Sequence, residues 1–303
     1  MKRAVIDIGT NSLRLLVADM EKGVIMSGKK YVRMIRLGEM VDQSREIGEK
    51  ALERCMDALD ELVKIALDEG VENIKALATS AVRDAGNRDE IVRRIQASFP
   101  IEVDILSGDE EAEMGYFGIL SSFPGQGLFI MFDIGGGSTE FAVGNKEKIF
   151  YKRSLDIGAV RMTEQFVKSD PVDLDESRRL KKHVRNTIES ELGNISSFEK
   201  GIAVGIGGTI TTLGAIKLKM ENYNRGKIHL SRIGLDEIGE MISEFAECPL
   251  ESRRNIIGLD SERADIIYAG SIILHEVMDF FGCKDIIVSD YDNLEGYLMT
   301  RCS

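Results

Sequence analysis

The strongest constraint on this chain is an internal duplication. The segment VIDIGTNSLRLLVA from Val5 aligns without gaps on MFDIGGGSTEFAVG from Met131, 126 residues downstream. Both copies carry Asp-Ile-Gly, a serine five residues after the aspartate and a valine ten after it. Each reads as an apolar strand, a tight glycine turn and a second apolar strand, which is a hairpin signature. A repeated half fixes architecture more firmly than local propensity does. The duplication predicts an α/β fold of two similar domains, each with a mixed sheet built around its hairpin, with a cleft between them.

The intervening segments alternate as such a fold requires. Between positions 48 and 69, Leu52, Cys55, Met56, Leu59, Leu62, Val63 and Leu67 recur at three- and four-residue spacing, an amphipathic helix. Strand-like runs follow at 74–78 and 101–105, with a helix between them opened near Asn87 and Asp89 and ended by Phe99-Pro100. The stretch Phe123-Pro-Gly-Gln-Gly127 breaks the pattern and marks the domain boundary. The expected domains are 1–122 and 123–303, with the last helix, about 293–301, placed to pack back on the first. A charged helix over 175–191 and a strand running into Gly205 follow the second hairpin.

Composition narrows the function. With 43% hydrophobic residues, 30% charged residues and four prolines, the 303 residues describe an ordinary globular chain. Lys and Arg total 39 against 51 Asp and Glu, a net charge of −12. That excludes a whole-surface nucleic-acid binder, which needs many cations to displace counterions, and leaves room for one local basic groove. Two runs are candidates for a polyanion track: Lys29, Lys30, Arg33 and Arg36, or Arg178, Arg179, Lys181, Lys182 and Arg185. Either reads equally well as a solvated face. The four cysteines lack a CxxC pair and read as small buried hydrophobes, and the three histidines lack metal-ligand spacing. In the opening MKRAVIDIG, Asp7 interrupts the apolar stretch too early for a signal peptide, and no run reaches the ~20 apolar residues of a membrane span. The expectation is a cytoplasmic protein with neither membrane nor nucleic acid as partner.

Three glycine loops carry the chemistry. The first offers Gly9 for close backbone approach, Thr10, Asn11 and Ser12 as donors, and Arg14 as a cation. In the second, Gly135, Gly136 and Gly137 allow successive N–H groups to point into one concavity, followed by Ser138 and Thr139. The third, Gly207, Gly208 and Thr209, follows a strand and opens a helix, whose free amides bind anions readily. Ordinary turns explain any one of these loops, the third with Thr209 as a helix cap. Two turns sharing an aspartate and a serine are better explained as two halves of a phosphate clamp. Acids in such loops would repel phosphate unless a cation lay between them, and Mg2+, or another divalent cation such as Mn2+, suits oxygen donors. Asp133 and Glu140, across one turn from each other, and Asp7 are the metal candidates. Ser107-Gly-Asp-Glu-Glu-Ala112 adds paired acids at a helix start, where Glu110 and Glu111 also suit the helix dipole.

Taken together, Asp-Ile-Gly-Thr-Asn-Ser from Asp7, Ala78-Thr-Ser-Ala-Val-Arg83, Ser107 to Ala112, Asp133 to Glu140 and Gly205-Ile-Gly-Gly-Thr209 resemble, in order and spacing, the exopolyphosphatase and guanosine pentaphosphate phosphohydrolase family. That family belongs to the actin, sugar kinase and heat-shock-70 superfamily, so the resemblance implies two actin-like (ribonuclease H-like) domains. It implies Glu111 as the catalytic carboxylate that activates water, Arg83 as a phosphate contact, and Asp133 and Glu140 as the magnesium site. The implied reaction releases terminal orthophosphate from inorganic polyphosphate or the 5′-γ-phosphate from guanosine pentaphosphate, in a protein that is commonly a homodimer. A regulator that binds alarmone or nucleotide without turnover is the alternative from another class. The chain resembles the short two-domain form, which leans to polyphosphate. Where the family often reads Ser-Asp-Tyr-Gly-Leu-Arg-Glu-Gly, this chain has Ser289-Asp-Tyr-Asp-Asn-Leu-Glu-Gly296 and lacks that glycine and arginine.

Overall fold

The two copies of the hairpin fold as the central strands of two mixed sheets. A computed structural model describes residues 1–193 and 201–302. The chain divides into two compact units: Met1–Ser122 with Tyr291–Ser303, and Phe123–Asp290. The break at Ser122/Phe123 coincides with the Pro-Gly stretch, whereas the second unit closes at Asp290 and the tail returns to the first.

In the first unit β1 (Lys2–Ile8), β2 (Ser12–Glu21), β3 (Val24–Met34), β4 (Ile74–Ala78) and β5 (Ile101–Ile105) form one sheet in the order β3-β2-β1-β4-β5. The hairpin strands pair antiparallel, while β1, β4 and β5 run parallel. In the second unit β6 (Phe129–Ile134), β7 (Thr139–Gly144), β8 (Ile149–Leu155), β9 (Ile202–Ile206), β10 (Arg232–Gly234) and β11 (Asp285–Val288) follow the order β10-β11-β9-β6-β7-β8. Again the hairpin is antiparallel and β6, β9 and β11 are parallel. The duplication therefore extends from sequence to sheet topology.

Strand periodicity divides the side chains of the first sheet. Ala4, Ile6, Ile8, Leu13, Leu15 and Val17 join the core under the helix Glu49–Asp68, whose buried stripe is Leu52, Cys55, Leu59, Leu62 and Val63. Val5, Leu16 and Ala18 face the other way, onto Met114 of the helix Gly108–Leu120 and Leu294, Tyr297 and Leu298 of the helix Asn293–Arg301. Asp7 and Arg14 share the parity of Val5 and Leu16, so the returning tail packs on the face that carries them.

That packing depends on two glycines. A Cβ at Gly118 would overlap the Asp292 carbonyl, and one at Gly296 would overlap the Met114 carbonyl. Glycine costs a helix about 1 kcal/mol against alanine, but a methyl here meets backbone that cannot swing aside, at a cost of roughly 1–3 kcal/mol or more. Overlap wins. Gly118→Ala is expected to lower the melting temperature by several degrees in a thermal scan, against the rise that helix propensity alone would give.

Among the described residues no helix is long and apolar enough to cross a membrane. Cys55 and Cys283 are buried, Cys248 and Cys302 half-buried, and all four are free thiols.

Candidate active site

Each unit collects its loops at the carboxyl edge of its parallel strands, the usual ligand-binding edge of an α/β sheet. In the first unit Gly9 to Asn11 follow β1, Arg83 lies on the short helix after β4, and Glu111 lies on the helix after β5. In the second, Gly135 to Ser138 follow β6 and Gly207 to Thr209 follow β9.

The two hairpin turns use one device. Gly9 N–H donates to Ser12 O at 3.1 Å, and Gly135 N–H to Ser138 O at 3.0 Å. The carbonyls of Thr10 and Asn11 accept from Gly38 and from Ile35 and Arg36, while those of Gly135 and Gly136 accept from Ala159 and from Val160 and Arg161. Arg161 Nε also donates to Gly137 O at 2.7 Å. A trans peptide sets its N–H opposite its C=O. The amides of Asn11 and Ser12, and of Gly136, Gly137 and Ser138, therefore point away from those segments, as anion-cradling nests require. The buried Asn11 Nδ2 is a donor with no hydrogen-bond partner, and the Thr10 side chain packs where a Cβ on Gly38 would stand.

Aligned positions carry opposite charge. Asp7 faces Arg14 across the first hairpin, and Asp133 faces Glu140 in the same register of the second. Arg14 Nε donates to Asp7 Oδ2 at 3.0 Å and its Nη2 to the same oxygen, while Nη1 reaches Asp292 Oδ2 at 2.7 Å. Burial pushes the Asp7 carboxyl up, against the pull of Arg14. For Asp292 burial is outweighed by Arg14 and Lys30, and its carboxyl lies below the usual carboxylate range. Arg14, expected at phosphate, is thus engaged by two carboxylates. Asp7, expected at metal, has Arg14 as its immediate partner, and only its Oδ1 lacks a hydrogen bond.

In the second unit, Asp133 and Glu140 are both buried and Ser154 Oγ donates to Glu140 Oε1 at 2.7 Å. Gly207, at φ +86°, leaves the space that Asp133 Oδ1 fills, since a Cβ there would overlap it. This all-oxygen pair of facing acids fits a hard divalent cation that also binds phosphate and water. Among the described residues no cluster of three or more His, Cys, Asp or Glu is arranged around one metal position.

Two threonines of these loops have side chains placed by other contacts. Thr139 is fully buried and donates its hydroxyl to the Ile157 carbonyl, so it ties β7 to the following segment and offers no side-chain donor to a ligand. Thr209 does not cap its helix: the cap is Ile206, without a side-chain hydrogen bond, and Thr209 packs against Gly270. Gly207 and Gly208 do open the helix Gly207–Lys217. Arg263, 55 residues from Gly208 and outside any motif, is not legible in the sequence, and its guanidinium lies where a Cβ of Gly208 would be.

The paired acids separate into two roles. Glu110 forms a capping box with Ser107, accepting from its N–H at 2.9 Å, and pairs with Arg301 at 2.7 Å; these bonds, the backbone one foremost, bring its carboxyl down to about 2. Glu111, one residue on, is 5% exposed and ion-paired with Arg83. Arg83 is itself fixed by the Leu106 carbonyl at 3.2 Å and Asp84 at 3.3 Å. The first basic run is largely neutralised: Lys29 pairs with Glu69, Lys30 with Asp292 and Glu295, and Arg33 with Glu61. In the second run Arg178 pairs with Asp175 and Arg185 with Glu276 and Asp279, and all five cations are exposed.

Fold and loops together define a two-domain actin-like α/β protein with a glycine loop at the carboxyl edge of each sheet. The chain belongs to the Ppx/GppA phosphatase family, whose profile matches residues 5–302. Exopolyphosphatase 2 of Mycobacterium tuberculosis is 32% identical over 98% of this chain and 97% of its own length. A bifunctional 3-dehydroquinate synthase/phosphatase of Fusobacterium nucleatum is 38% identical over 98% of this chain but 46% of that protein, so the chain spans about half of that relative. The crystal structure of the Aquifex aeolicus Ppx/GppA family member superimposes with a TM-score of 0.80 at 32% identity, covering 100% of this chain and 97% of that one.

Proposed function

We propose that the chain is a Mg2+-dependent phosphohydrolase that releases terminal orthophosphate from inorganic polyphosphate. The observation that carries this reading is the buried Glu111–Arg83 pair at the carboxyl edge of the first sheet. Helix capping is done by Glu110, so Glu111 is not needed as a cap. A carboxylate desolvated beside a fixed guanidinium suits a group that accepts a hydrogen bond from water and aligns it for attack. The near full-length similarity to an exopolyphosphatase supports the choice of substrate.

Glu111 orients the water whose oxygen attacks the terminal phosphorus. The bond from that phosphorus to the bridging oxygen breaks, the chain leaves shortened by one phosphate, and Glu111 takes the proton of the water and passes it to solvent. Amides of the glycine loops hold the phosphoryl oxygens, and donors fixed in advance are where such sites gain most. Asp133 and Glu140 would hold Mg2+, which supplies neutralisation of the charge on the phosphates.

Guanosine pentaphosphate offers the same anhydride with a different leaving group, so the two substrates are separated by kinetics. The expected result is that kcat/KM rises with polyphosphate length and exceeds that for guanosine pentaphosphate. A flat length profile, or a preference for the nucleotide, would overturn the polyphosphate reading. Tight guanosine pentaphosphate binding with no phosphate release from either compound would make the chain a sensor.

A further inference from the structure

The tail of the chain reaches the first glycine loop through one carboxylate. Asp292 starts the last helix, accepting from Leu294 N–H at 3.0 Å with Oδ1. Its Oδ2 takes Arg14 Nη1 at 2.7 Å and Lys30 Nζ at 3.0 Å. Lys30 continues to Glu295 at 2.9 Å, and Glu295 accepts from the Asp292 N–H at 2.9 Å. On its other side Arg14 binds only the Oδ2 atom of Asp7. The carboxylate of Asp7 is 97% buried, since it is 3% exposed, and its Oδ1 has no hydrogen-bond partner. That oxygen faces the loop: a Cβ on Gly9 would lie 4.0 Å from it.

A buried carboxylate with one oxygen held and one open is free to turn about its terminal bond, unless its partner is immobile. Asp292 grips Arg14 on the side away from Asp7. We propose that Asp292 is a positioning residue, which acts through Arg14 to hold the open Oδ1 of Asp7 toward the Gly9 loop. Its function is to keep that acceptor fixed beside the loop, where a donor such as an ordered water can reach it. The kinetic part of this inference rests on the proposed hydrolysis.

Asparagine caps a helix about as well as aspartate, which allows charge and cap to be separated. In the full-length protein, Asp292→Asn removes the grip on Arg14 and retains the Leu294 bond, while Asp292→Ala removes both. A misaligned catalytic group costs roughly ten- to hundredfold in rate. Both variants are therefore expected to lose kcat on polyphosphate by about tenfold or more, with KM within about twofold. Both variants should lose melting temperature because a buried ion pair is broken, the alanine variant by a few degrees more because it also loses the cap. In a crystal structure of Asp292→Asn, Arg14 should have left Asp7 Oδ2 or the Asp7 carboxylate should have turned. An unchanged kcat in Asp292→Asn overturns the proposal. So does a kcat that falls only as melting temperature falls, or an Asp7–Arg14 pair that stays as it was. If the wild type releases no phosphate, the hydrolysis reading fails on that result alone, and the crystal structure of Asp292→Asn still decides the positioning: a displaced pair supports it and an unmoved pair overturns it.

Discussion

Replacing Glu111 with glutamine is expected to lower kcat for orthophosphate release by roughly 10²–10⁴-fold, the usual range for a lost general acid–base group. Glutamine keeps the volume and one oxygen for Arg83 but not the charge that orders water. Breaking a fully buried ion pair costs about 3–5 kcal/mol. Arg83 keeps the Leu106 carbonyl and Asp84 and is partly exposed, so the stability loss should fall below that range. Glu110→Gln is the matched comparison, one residue away on the same turn. Its carboxylate caps the helix and pairs with Arg301, so kcat should stay within about twofold while the melting temperature drops by a few degrees, in line with a cap worth about 1 kcal/mol. Steady-state kinetics and thermal melts on the two variants read both effects. Equal kcat values for the two would remove Glu111 from the chemistry.

The second large effect concerns the facing acids of the other hairpin. Chelation with EDTA is expected to abolish phosphate release, and added Mg2+ to restore it. Asp133→Asn and Glu140→Gln should each lose kcat by about 10²-fold or more and require higher Mg2+, and the double variant should lose little beyond either single one, because groups acting as a unit are not additive. The inversion between hairpins is the physical reason for the difference. In the first, the residue facing the aspartate is Arg14 and the pair neutralises itself; in the second it is Glu140, which adds charge. Undiminished activity in EDTA would contradict the assignment of Asp133 and Glu140.

Most of the fold was legible because its signals are local or repeated. The strands at 74–78 and 101–105 are bounded by punctuating residues and fall where the pattern put them. The duplicated hairpin predicted two mixed sheets, and the five strands of the first are repeated in the second, which adds β10 at its edge. The division of labour between Glu110 and Glu111 was legible in part: Ser107-x-x-Glu110 is the capping-box spacing, which leaves Glu111 without a capping role. The direction of the Thr139 hydroxyl was not legible, because only strand parity turns it inward to the Ile157 carbonyl. Asp292 was out of reach for a different reason. It meets Arg14 across 278 positions, and only the return of the tail onto the first sheet brings them together. Periodicity records which face a residue occupies, but not which distant segment will cover that face.

The central claim is that water cleaves the terminal phosphoanhydride with its oxygen delivered to the terminal phosphorus. A single turnover of polyphosphate in 18O-labelled water tests it most directly, with products resolved by mass spectrometry. The account predicts one labelled oxygen in the released orthophosphate and none in the shortened chain, dependent on Mg2+ and lost in Glu111→Gln. Label in the shortened chain, internal cleavage, or no orthophosphate at all would contradict it.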